Sequence, residues 1–289
     1  MPRHSSRSLS ITRRLTPPVA LVALCAVCTQ AAAETAGTML ARWEGGLAAG
    51  GGRVADYPGA GQSHTRGIAV PVFIYRGPVL RIDDDGVRGR LFDHPDLHLD
   101  LAATAAFSAR DSDARAGMPS LDYLVGIGPQ LVYTGWRGAP GSPTLHLQLR
   151  GLMSTDLSTL NGRGASLSPA VRWRWPLPVP SARPLNLSAS LQPTWASAPL
   201  MRYFYEVPAV HASADRPAYR ARAGYLGTEW ALTLSRRESS TLTWFATVRG
   251  MSLHGAANRA SPLLRSRSDV SIGAGLMWTP WQSQERVAR

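Results

Sequence analysis

The chain has 289 residues, with 31 basic residues against 19 acidic ones and a formal net charge of +12. Every cationic side chain other than histidine is arginine, and both cysteines, Cys25 and Cys28, lie near the N-terminus. Beyond that point a disulfide scaffold, a thiol enzyme and a cysteine-ligated zinc protein are excluded.

Arg3, Arg7, Arg13 and Arg14 precede the apolar run PPVALVALCAVC (17–28), and no acid occurs before Glu34. Ala31 and Ala33 supply the small-residue pattern of a cleavage site, so residues 1–33 read as a secretory signal peptide. The apolar run is shorter than the roughly 20 residues that a spanning helix needs. Residues 34–289 then form one domain, with 27 arginines against 19 acids and a net charge of +8. That balance favours anionic surfaces, namely outer-membrane lipid and lipopolysaccharide, or an acidic partner. An exported chain seldom meets nucleic acid. No later apolar run reaches spanning-helix length, so in a membrane only a closed β-barrel satisfies the backbone.

Side chains alternate with period two along most of the remainder, which argues strands rather than helices. In chain order the strands are expected near 41–52, 66–75, 78–83, 86–92, 97–107, 121–134, 144–153, 164–175, 184–195, 219–235, 240–252 and 268–281. Long polar loops are expected at 53–65, 108–120, 154–164, 196–218 and 254–268. Short turns fall at YRGP (75–78), DHPD (93–96), RGAPGSP (137–143), PLPVPSARP (176–184) and SRRESS (235–240). The expected fold is all-β, a transmembrane antiparallel up-and-down β-barrel of about 12 strands, or 10 if 78–83 and 86–92 do not span. Outer-membrane barrels have short periplasmic turns and long external loops, so both ends of the domain are expected in the periplasm.

The face of each strand decides which side meets water. In PLNLSASLQPTW (184–195), Leu185, Leu187, Ala189 and Leu191 alternate with Asn186, Ser188, Ser190 and Gln192. A soluble sheet turns its apolar face inward; a membrane barrel turns it outward to lipid. Trp173, Trp175, Trp278 and Trp281 end apolar faces, as membrane interfaces select. The leucines are therefore expected to face lipid and the polar residues the lumen.

Candidates for chemistry are few. Asp83, Asp84 and Asp85 before Gly86 lack the spaced ligands of a calcium loop and read as a hairpin turn. The seven histidines show no metal spacing, and no G-x-S-x-G occurs. No catalytic residue, metal site or cofactor is assigned, and no enzyme activity is expected. The loop at 196–218 carries Met201, Tyr203, Phe204 and Tyr205, which either plug the barrel mouth or offer a contact surface. At the periplasmic end Arg236, Arg237, Arg286 and Arg289 form a basic patch that suits an acidic partner or lipid headgroups.

Three stretches resemble a known family. DYPGAGQSHTRGIAVPVFIYRG (56–77), MRYFYEV (201–207) with PAYRARAGYLGTEWALTLSR (217–236), and the closing SDVSIGAGLMWTPW are similar to segments of the MltA-interacting protein (MipA/OmpV) family of Gram-negative outer-membrane proteins. The resemblance implies an outer-membrane barrel. It also implies a scaffold for cell-wall enzymes, a periplasmic murein hydrolase together with a peptidoglycan synthase. A channel or receptor for small solutes is the alternative. Chains of this kind usually close on an aromatic residue, whereas here QSQERVAR follows Trp281.

Overall fold

The structure, a computed structural model, describes residues 39–76, 80–83, 86–94, 96–106, 108–109, 112–136, 141–180 and 183–288. The expected signal peptide at 1–33 and Arg289 lie outside the described residues. The strands are β1 (Met39–Ala41), β2 (Trp43–Ala55), β3 (Ser63–Arg76), β4 (Leu80–Asp83), β5 (Gly86–His94), β6 (Leu97–Ala106), β7 (Tyr123–Tyr133), β8 (Thr144–Thr155), β9 (Leu160–Leu177), β10 (Leu185–Ala196), β11 (Gly224–Arg237), β12 (Leu242–Ser252), β13 (Ser268–Gln282) and β14 (Arg286–Ala288). An eight-residue helix, α1 (Ala198–Tyr205), lies between β10 and β11.

Strands β2 to β13 pair in chain order, each antiparallel to the next, and β13 returns to β2 to close a twelve-stranded barrel. Closure leaves no sheet edge, which is the condition for crossing a bilayer with strands. Ten of the twelve have 10 to 18 residues. A tilted spanning strand needs about 9–11. The uncertain pair divides: β5 has nine residues, while β4 has four and reaches only about 13 Å. β4 therefore completes the ring without crossing, and it pairs with β3 only at Tyr75 and Arg76.

Burial settles the question of faces. β10 buries Asn186 and Ser188 and leaves Leu191 45 % exposed. β8 buries His146, Gln148 and Arg150 and exposes Leu145, Leu147 and Leu149. Polar side chains point into the barrel and leucines out of it, the reverse of a soluble sheet. No helix of the described residues is long and apolar enough to span a membrane; the strands do so. Exposed aromatics mark both rims of the apolar band. Trp43 stacks on Phe73, and Trp278 and Trp281 stand nearby, at one end; Trp195 packs against Tyr225 at the other. Trp173 and Trp175 are half-buried.

Proline in a barrel wall removes a ladder donor. At Pro129 the β7–β8 register skips residues 128 and 129. The Arg150 guanidinium, reaching from the lumenal face, donates to the carbonyls of Gly128 (3.1 Å) and Pro129 (3.2 Å). The ladder thus stays satisfied by a side chain where the backbone cannot do it.

The connections sort into two ends. At the long-connection end they run over 56–62, 107–122, 156–159, 197–223 and 253–267. One expectation needs correction here. The loop expected at 154–164 is a four-residue turn, because Asp156 Oδ1 accepts from the backbone N–H groups of Ser158 (2.9 Å) and Thr159 (2.7 Å). That side chain satisfies the turn and lets β8 and β9 run on. At the short-turn end the tail that follows Trp281 is also ordered. It forms β14, which pairs with β1 through Ala41↔Arg286, Leu40↔Val287 and Met39↔Ala288, extending the β13–β2 ladder beyond the barrel.

Candidate functional site

The long-connection end is closed by α1. Eight residues are too few for a helix to hold itself, since isolated helices below about 12–15 residues are marginal. Tertiary packing holds it instead. Leu200, Met201, Phe204 and Tyr205 share one helical face and are all buried, Met201 and Tyr205 completely. They join Tyr57, Leu121, Leu124, Leu152, Ala221 and Leu226 in one apolar core across the barrel mouth. Within the 196–218 loop, Met201, Phe204 and Tyr205 are buried and Tyr203 packs against the same core, so the first three do not form an exposed contact surface.

Polar bonds lock the plug from several sides. Tyr205 donates its hydroxyl to the Pro58 carbonyl (2.9 Å), and its own carbonyl accepts from Ser261 Oγ (2.7 Å). Arg115 Nη1 donates to the Phe204 carbonyl (3.1 Å), and Tyr203 Oη donates to the Asp122 carbonyl (3.1 Å). The β8–β9 ladder shifts register where Leu152 meets Gly164 and Met153 meets Gly162, leaving Arg163 as the extra residue of a bulge. That bulge turns Arg163 over the Tyr203 ring, 4.5 Å from its centroid. Gly164 has φ +93, and a Cβ there would meet Ser197 Oγ at 2.2 Å, so glycine admits the start of α1. Burial pushes the phenols of Tyr57, Tyr203 and Tyr205 up from their ordinary range, Tyr205 well above it. Burial likewise pulls the Arg115 guanidinium down.

Beneath the plug lies a cavity of about 290 Å³. Tyr57, Tyr203 and Phe204 roof it, and Asp56, Arg66 and Asp269 line its wall. Asp56 is buried, with Oδ1 held by His64 Nδ1 (2.7 Å) and Arg66 Nη2 (3.0 Å). Among the described residues no cluster of His, Cys, Asp and Glu could hold a metal ion.

The short-turn end is where the basic patch was expected. Its arginines are not brought together as free cations. Arg236 pairs with Glu238 in its own turn. That pairing, with the Trp244 indole N–H, holds the Glu238 carboxyl below its usual range. Arg237 reaches Glu44, which is 2 % exposed, at 3.3 Å. Arg76 approaches the other Glu44 oxygen at 2.7 Å, off the axis of a well-angled hydrogen bond, and Thr279 Oγ1 donates at 3.0 Å. One buried carboxylate therefore ties β2, β3, β11 and β13 together. Arg286 is exposed on β14, and Arg289 lies outside the described residues. Sequence reading missed Glu44, Arg163, Gly164 and Tyr57; only the NGRG run at 161–164 gave a signal, since glycine in a strand marks a bulge.

With this geometry in place, the comparisons are brief. The family described as MltA-interacting protein MipA matches residues 47–280. No curated protein matches. Among solved structures, the NanC porin in a rhombohedral crystal form aligns over 81 % of this chain and 100 % of its own, at 11 % identity and a TM-score of 0.40.

Proposed function

This chain belongs to the MltA-interacting protein family, and on that premise we propose that it is an outer-membrane barrel that scaffolds cell-wall enzymes. The family and the transmembrane barrel together support the outer-membrane assignment. The observation that carries the scaffold over the channel is the apolar plug, with Met201 and Tyr205 fully buried across the mouth. A diffusion channel keeps a wet lumen from end to end; this mouth is filled like a protein core.

The partner surface on this proposal is the short-turn end, which faces the periplasm. Arg183 and Arg286 are exposed there and Arg236 is partly exposed, with Arg289 beyond the described residues. Arg237 is set back because it serves Glu44. The test is capture of a purified murein hydrolase or synthase by the folded barrel in neutral-lipid vesicles. Capture by wild type, weakened in the Arg236→Ala/Arg286→Ala variant and by rising salt, is the expected result. Absence of capture at low salt, with the barrel intact, would sink it. A receptor for a small solute is the second reading, favoured by the cavity under α1; solute-dependent conductance in a planar bilayer would support it.

A further inference from the structure

One sector of the long-connection rim concentrates arginine. Residues 216–223 and 253–267 contain six arginines and no carboxylate. Arg216 is committed to backbone carbonyls, donating to those of His211 and Ala116 (both 2.9 Å). Arg220, Arg222, Arg259, Arg265 and Arg267 are exposed. Arg53, exposed on the outer face of β2 opposite Ile272, extends the same sector. None of these six lies within ion-pair distance of a carboxylate among the described residues. Seven arginines elsewhere are matched: Arg42 to Glu285, Arg66 to Asp56, Arg76 and Arg237 to Glu44, Arg202 to Glu206, Arg236 to Glu238 and Arg249 to Glu229. At the opposite rim the exposed Arg183 and Arg286 are outside ion-pair distance of any described carboxylate, but they do not form a cluster of this size.

The sector is rigid. Asn258, 1 % exposed, accepts from the Arg222 N–H (2.9 Å) and donates to the Arg222 carbonyl (2.8 Å), clamping one loop to the other. The Arg265 N–H donates to the Gly59 carbonyl (2.7 Å), and Tyr57 Oη donates to the Leu263 carbonyl (2.8 Å). These bonds tie the arginine-bearing loop to the β2–β3 connection. The depth is also defined. Arg222 stands three residues before Tyr225 of the Trp195–Tyr225 interface pair. Arg267 stands three residues before the lipid-facing Val270, which is 60 % exposed. Three residues span at most about 10 Å, so both arginines stand close to the end of the apolar band, on its long-connection side.

We propose that the arginine sector spanning β11, β12, β13 and β2 is a docking surface for the phosphorylated glycolipid of the outer leaflet, lipopolysaccharide. Planar guanidinium groups suit phosphate through bidentate, charge-assisted bonds. A pre-stiffened rim loses little freedom on binding. The aromatic pair and the exposed Val270 and Ile272 below it contact the acyl chains. The surface rests on the orientation that puts the long connections outside, and is independent of any scaffold role.

The experiment uses the full folded barrel, purified and mixed with lipopolysaccharide in neutral-lipid vesicles, and reads retained glycolipid. The Arg222→Ser/Arg259→Ser/Arg265→Ser/Arg267→Ser variant should lose about fivefold retention per arginine removed, with its heat-modifiable gel migration unchanged. The four Arg→Lys changes should restore part of it. Dephosphorylated lipopolysaccharide should bind wild type as weakly as the intact glycolipid binds the Ser variant, and Arg183→Ser at the opposite rim should change nothing. Unchanged retention in the folded Ser variant, undiminished binding after dephosphorylation, or a soluble polyphosphate binding as tightly as the glycolipid would each overturn the proposal. Labelling of Ser213→Cys from the periplasm alone would overturn it together with the orientation, so the two failures are told apart.

Discussion

Opening the plug is the most direct test of how this barrel works. Met201 and Phe204 lie on the buried face of α1, 0 % and 9 % exposed. Truncating buried Met or Phe to alanine costs about 2–5 kcal/mol each, so the Met201→Ala/Phe204→Ala variant removes roughly 5–10 kcal/mol of local packing. An eight-residue helix has no stability of its own to offset that loss. At a factor of ten per 1.4 kcal/mol, about 5 kcal/mol raises the open fraction of the mouth by more than a thousandfold. A second variant reaches the same end by another route. Gly164→Ala forces a non-glycine residue to φ +93 and sets its Cβ 2.2 Å from Ser197 Oγ at the start of α1. Single-molecule recordings in planar bilayers should show low conductance for wild type and stepwise openings for both variants. Hydrogen exchange at 198–205 should speed up in parallel, while the barrel strands stay protected. Free exchange in α1 without any gain in conductance would refute the reasoning, because the mouth would then not be what closes the lumen.

Four further outcomes follow from the geometry. Leu191→Arg should impair assembly by about 2–4 kcal/mol, while Gln192→Arg, one residue on but lumenal, should be tolerated; equal folding yields on a heat-modifiability gel would contradict the assignment of faces. Arg237→Ala leaves the buried Glu44 with one cation fewer and should cost about 1–3 kcal/mol, read as a lowered urea midpoint, whereas Arg236→Ala should change it by less than about 0.5. Because burial raises the Tyr57, Tyr203 and Tyr205 phenols, the unfolded chain gives up those protons first, near pH 10. Stability is therefore fully present below that pH and lost as pH rises through the folded values. Absorbance titration should resolve a late-titrating group among the eight tyrosines, and one uniform free-phenol transition would count against the plug. Ser213→Cys should label from outside intact cells and Ser240→Cys only after the outer membrane is opened; the opposite pattern would invert the barrel.

The barrel itself was legible in the sequence because its signal is local. Alternation such as Leu145, Leu147, Leu149 against His146, Gln148, Arg150 needs no knowledge of distant contacts, and the direction of the faces followed from adding strand length and aromatic ends. The plug was legible only as a question. Met201, Tyr203, Phe204 and Tyr205 announce burial, but not the site of it, because their partners Tyr57, Leu121 and Leu226 come from three other segments. The helix escaped notice because eight residues held by tertiary packing leave too short a period to read. The ion pairs of Arg236 and Arg237 were not legible either. Glu44 lies 193 positions from Arg237, and nothing in SRRESS hints at a carboxylate brought there by ring closure.

The two rims differ in how their charges are satisfied, and that difference bears on what each can recruit. At the short-turn rim Arg42, Arg76, Arg236 and Arg237 all have carboxylates. Exposed paired charges contribute little to affinity, which leaves Arg183 and Arg286, exposed and outside ion-pair distance of any described carboxylate, as the main cations a partner would meet. Shape and backbone add to that charge. The β1–β14 ribbon, a two-stranded sheet separate from the barrel, supplies both. In the arginine sector of the long-connection rim, Arg220, Arg222, Arg259, Arg265 and Arg267 have no carboxylate within ion-pair distance among the described residues, and Asn258 and the Gly59 carbonyl hold the backbone that carries them. Such a surface is relieved by an anionic ligand. On the proposed orientation, unpaired charge is concentrated at the outward end. A scaffold anchored there by glycolipid phosphates would need no open lumen, and the apolar core that α1 forms at the mouth supports that proposal.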